Sequence, residues 1–76
     1  MGAEPLVVDV REDLKQGREP FGKIMEAVAS LTEGQSLLLY ATFEPVPLFR
    51  VLEKKGFAHE ARQVGTGDWE VRFYRP

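Results

Sequence analysis

The stretch that most restricts the fold runs from Gly17 to Ala41. After the loop Gly17-Arg18-Glu19-Pro20, the residues Phe21, Ile24, Met25, Val28 and Leu31 recur at i, i+3, i+4, i+7 and i+10. That spacing draws one apolar stripe along a helix and predicts a helix over Phe21–Leu31. Pro20 suits the first turn, where a missing N–H costs nothing. Thr32-Glu33-Gly34-Gln35 is a tight connection in which Gly34 can take the left-handed conformation. It leads into Ser36–Tyr40, an apolar strand with little alternation, as expected at the centre of a covered sheet. A helix returning at once into such a strand requires partner strands on either side.

The rest of the chain supplies them. Leu6–Val10 is a β-branched run of strand length, apolar enough to be buried on both faces. Asp9 within it is either a polar exception or the point where the strand meets solvent. The charged segment Arg11–Glu19 reads as a loop, and so does Thr42–Pro47 with its two prolines. A short helix is expected from about Pro47 to Lys55, with Gly56 placed to end it. Phe57–Val64 and Trp69–Tyr74 read as strands joined by Gly65-Thr66-Gly67-Asp68, a connection of hairpin length. Trp69, Val71 and Phe73 alternate with Glu70, Arg72 and Tyr74, which makes Trp69 and Phe73 core residues. The order is β-α-β-α-β-β. With strands one to three parallel, it predicts an α+β two-layer sandwich: a four-stranded mixed sheet with both helices on one face.

With only 76 residues, positions 1–76 make one domain, Met1–Pro5 being a short lead-in. At 43% hydrophobic and a net charge of −2, the chain is globular, and its balanced charge gives no general attraction to nucleic acid or anionic membrane. It holds no cysteine, which excludes disulfides, thiolate metal sites and a cysteine nucleophile. No signal-like or membrane-spanning apolar run is seen, so a cytoplasmic location is the expectation.

Parallel strands one and two would carry both following loops to one edge of the sheet. Helix N-termini there offer unpaired N–H groups and partial positive charge. Arg11, Lys15, Arg18 and Lys23 collect nearby, which either attracts an anionic ligand or pairs internally with Glu12, Asp13 and Glu19. Phe43, in the proline-rich loop, is either a contact for a partner or packed on the edge of the sheet. The candidate ligand-binding residues are Arg11, Arg18, Glu19, Pro20, Phe43 and Glu44. No metal or other cofactor is expected. His59 is a lone histidine without the companions that a metal site or triad needs, and Glu19 with Glu44 is either a carboxylate pair or two solubilising and capping acids.

The order of several short motifs resembles a known family. Val8-Asp9-Val10-Arg11, the helix from Pro20 to Leu31, Glu33-Gly34-Gln35 and the following apolar strand are similar to the TusA/SirA-like sulfur-carrier fold. Phe43-Glu44-Pro45-Val46-Pro47-Leu48, Gly56-Phe57 and the ending Gly67–Phe73 are similar to its uncharacterised branch, the domain of unknown function 2249. The resemblance implies a sheet order of 1-2-4-3. In those carriers a Cys-Pro-x-Pro motif opens the first helix and its cysteine bears a persulfide. The matching positions here are Gly17, Arg18, Glu19 and Pro20, so the reactive residue is missing and persulfide transfer is excluded. The branch often places histidines before the helix proline and in the second loop, where this chain has Glu19 and Phe43.

The leading expectation is a non-catalytic binding or adaptor module for a protein partner or a small anionic ligand. The alternatives are a minor or accessory enzyme using Glu19, Glu44 or His59, and an RNA-binding domain. The acidic balance argues against the latter. A monomer or a weak dimer through the first strand of the hairpin is expected.

Overall fold

In the computed structural model, which describes residues 4–76, the chain runs β1 (Leu6–Asp9), α1 (Arg11–Lys15), α2 (Phe21–Ala29), β2 (Leu37–Ala41), α3 (Val46–Lys54), β3 (Ala58–Gly65) and β4 (Asp68–Tyr74). The lead-in Met1–Pro5 lies outside the described residues for its first three positions. The four strands form one mixed sheet in the order β1-β2-β4-β3. β1 and β2 are parallel, and β4 runs antiparallel to both β2 and β3. β1, β2 and β3 therefore point the same way, and the expected α+β architecture and strand order are both found.

One face of the sheet carries the core. Successive register rows place Leu6, Leu37, Phe73 and His59 side by side, then Val8, Leu39, Val71 and Ala61. Above them lie Ile24 of α2 and Leu48, Phe49 and Leu52 of α3, all buried in the same cluster. α2 keeps its apolar stripe inward, although Phe21 at its start stays exposed. Gly56 follows α3 with φ +90° and ends it as the sequence predicts, a conformation that strains residues bearing a Cβ.

Three expectations are corrected. The segment Arg11–Glu19 is not all loop, because Arg11–Lys15 forms a helical turn and a half that packs Leu14 against the core while burying no residue fully. The sheet is not covered on both sides: Val7 is 57% exposed and Leu38 half-buried, because α2 and α3 both pack on the opposite face. Trp69 is only half-buried; it is flanked by Ala41 on β2 but by exposed Gln63 on the outer strand. Among the described residues, no helix is long and apolar enough to cross a membrane.

A candidate apolar cleft at the ends of the parallel strands

The loops that follow β1 and β2 meet at one edge of the sheet and enclose a cleft of about 250 Å³. Leu14 of α1, Pro20, Phe21 and Ile24 at the start of α2, Phe43 and Pro45 of the second loop, and Pro47, Leu48 and Val51 of α3 line it. Glu19 is the one charged residue among them. Phe21 and Phe43 are 45% and 51% exposed, so two aromatic rings stand at the cleft with much of their surface in water. Leaving such side chains exposed sacrifices part of the ~1.5–3 kcal/mol that burial of a large apolar side chain supplies.

Short-range chemistry fixes both walls. Glu19 accepts a hydrogen bond from the Phe21 N–H through Oε1 at 2.6 Å, filling one of the open donor positions at the start of α2 with the chain's own carboxylate. Asp13 accepts from Arg18 Nε at 3.0 Å and from Lys23 Nζ at 2.9 Å, while the Arg18 N–H donates to the Asp13 carbonyl at 2.8 Å. One carboxylate thus ties α1, the connecting loop and the first turn of α2 together. On the other wall, the Val46 N–H donates to the Glu44 carbonyl and the Leu48 N–H to the Pro45 carbonyl.

The residues singled out from sequence divide in two. Glu19, Pro20 and Phe43 line the cleft. Arg18 is engaged with Asp13 and does not line it, and Glu44 is exposed beside it. Arg11 lies on the open face of the sheet. There its guanidinium bridges Asp9 (Nη2 to Oδ2, 2.8 Å) and Asp68 (Nη1 to Oδ1, 3.1 Å) and sits over the Tyr40 ring at 5.3 Å. His59 stacks on Phe49 with ring centroids 3.9 Å apart and planes 13° apart, a packing contact on the core side of β3. Ile24, Leu48 and Val51 were legible only as apolar residues of their helices, since periodicity shows which face is apolar and not where that face runs past its cover, and Leu14 was hidden in a segment read as a loop.

A second hollow, of about 330 Å³, lies at the other end of the parallel strands, where Leu31, the Thr32–Gln35 turn, Phe57, Arg72 and Arg75 line it. It contains none of the six candidate residues. Its arginines lie over aromatic rings, Arg72 on Tyr74 and Arg75 on Phe57.

The ion pairs make a testable acid limb. Hydrogen bonds from Arg11 hold the Asp9 carboxyl below its ordinary value of 3.8, and bonds from Lys23 and then Arg18 do the same for Asp13. The Tyr40 hydroxyl and then Arg62 lower Glu70 from 4.5, while the bond to Glu70 raises Tyr40 above 10.0. The unfolded chain binds protons more tightly at the three carboxylates. Their stabilisation is complete above about pH 4–5 and disappears as the pH falls through the lower, folded-state values. Tyr40 acts in the opposite sense: its contribution is complete below pH 10 and is lost as the pH rises through its folded-state value. Urea midpoints measured from neutral to acid pH should fall for the wild type below about pH 4–5, and Asp13→Asn should lessen that fall. An Asp13→Asn curve that overlays the wild type would contradict the assigned ion pairs.

No curated protein and no solved structure matches the chain. The family described as an uncharacterized conserved protein (DUF2249) has a model that matches residues 7–75, from within β1 to just past β4. The chain therefore belongs to this DUF2249 family.

Proposed function

We propose that the protein is a non-catalytic binding or adaptor module whose cleft receives an apolar or aromatic side chain from a short segment of a partner protein. The observation that carries this reading is the exposure of Phe21 and Phe43 at a cleft whose lining is apolar but for Glu19. Buried aromatic anchors in small desolvated pockets supply most of the energy of protein interfaces. The cleft volume lies below the ~300–1,000 Å³ of sites that enclose drug-sized ligands and suits one anchoring side chain. Its position outside the carboxyl ends of β1 and β2 is the edge at which open α/β sheets receive ligands.

The anionic-ligand form of the proposal has less support. Asp13 neutralises Arg18 and Lys23, and Glu19 occupies an N–H at the start of α2. A kinship with the TusA/SirA-like carriers is part of the reading, supported by the strand order that the resemblance implies. On that kinship, Glu19 and Pro20 of the cleft wall occupy the last two positions of the carriers' motif, while Gly17, at the position of the reactive cysteine, lies outside the lining. A cytoplasmic setting also belongs to the proposal.

Titration with indole, as a small aromatic probe, and separately with inorganic phosphate tests it through amide chemical shifts. Indole should move the amides of Leu14, Phe21, Ile24, Phe43 and Val51, and Phe43→Ala should weaken that response severalfold while leaving the fold intact. Shifts with phosphate at Gly17–Glu19 but none with indole would favour the anionic ligand. Silence of both loops with either probe would overturn the module.

A further inference from the structure

β3 is the outer strand of the sheet on the side away from β1, and it spans eight residues against four for β1. Among the described residues, its backbone hydrogen bonds go to β4 alone, so its outer row of N–H and C=O groups faces solvent. Natural edges of this length are usually blunted by proline, by charged side chains (lysine above all), by a central bulge or by a covering segment. β3 has neither proline nor lysine, and its one irregularity lies at the far end, between Gln63 and Gly65.

It carries Glu60 and Arg62 on the open face with Ala61 between them, a pattern that complements itself when reversed. An antiparallel copy centred on Ala61 sets Glu60 opposite Arg62 of the second copy, and Arg62 opposite its Glu60. Within one chain Glu60 already faces Arg72 and Arg62 faces Glu70, the latter pair in contact at 2.9 Å. The pairing therefore extends two short ladders into rows of alternating sign across both molecules. On the core face the same register brings Ala61 against Ala61 of the second copy, each flanked by Val71, with nothing bulky or charged at the axis. A slip of two residues, the smallest that keeps each face on its own side, places Glu60 against Glu60 or Arg62 against Arg62. Opposite charges across strands stabilise and like charges destabilise, so the charges select one register.

We propose that β3 pairs with β3 of a second copy, antiparallel about a twofold axis through Ala61, to make one continuous sheet. Sedimentation equilibrium over a concentration series tests it. Glu60→Arg and Arg62→Glu should each raise the dimer dissociation constant by roughly tenfold or more, because both symmetric pairs turn repulsive. An equimolar mixture of the two variants should associate again, since each then supplies the charge that the other lacks. The cysteine-free chain gives an independent readout. Ala61→Cys should form an intermolecular disulfide under mild oxidation faster than Gln63→Cys, which would face His59. A wild type that stays monomeric throughout, a dimer indifferent to both charge variants, or faster cross-linking at position 63 would each overturn the proposal.

Discussion

Replacing Phe73 with alanine is expected to unfold a large part of the population. Phe73 is fully buried on the central strand β4, with Leu37 opposite on β2 and His59 opposite on β3. Its ring centroid lies 6.1 Å from those of both Phe49 and His59. The residue thus joins three strands and α3 at one point. Truncating a buried phenylalanine costs about 3–5 kcal/mol, from lost transfer energy and from the cavity left behind. A domain of this length has roughly 4–11 kcal/mol in total, at ~0.05–0.15 kcal/mol per residue. The loss is a large share of that total. Urea unfolding followed by circular dichroism should show the midpoint collapse towards zero denaturant. A loss below about 1 kcal/mol would place the centre of the core elsewhere.

Leu52→Ala is the second large effect, and it reaches the cleft from behind. Leu52 is fully buried and does not line the cleft, but α3 carries the cleft residues Pro47, Leu48 and Val51. Its carbonyl also accepts the N–H groups of Lys55 and Phe57 where the helix ends. Nine residues are too few to hold a helix in water without packing. Removing the side chain should cost about 2–5 kcal/mol and loosen one wall of the cleft. The indole response should then fall in step with stability. Phe43→Ala separates the two quantities, losing the response at nearly unchanged stability. If Leu52→Ala destabilised the chain but left the indole shifts intact, α3 would not be a wall of the binding surface.

The fold was legible where local chemistry and tertiary demand agree. The stripe from Phe21 to Leu31, the apolar run Leu37–Tyr40 and the glycines at 56 and 67 each point to the element that forms. α1 was hidden because five residues with a single apolar side chain, Leu14, carry no period. Its helix exists because Leu14 reaches the core and Asp13 gathers two cations. The open face was hidden for a different reason. An apolar run such as Leu6–Val10 records the side chains but not the number of helices available to cover them, and α2 and α3 lie on the same side. In the cleft, Glu19, Pro20 and Phe43 were legible from loop position alone. The pairing of Arg11 with Asp68, 57 positions along the chain, depends on the hairpin folding back beside β2, which no local pattern encodes.

Asp13 has a consequence for the way this protein meets other molecules. One side chain holds Arg18 and Lys23 together, which braces the segment leading into α2. For the proposed partner, a braced segment has less freedom to lose on binding, which favours affinity from a small area. If the proposed cleft takes a guest, a mouth braced in this way would discriminate by contour, favouring a side chain that fits over one slightly too wide.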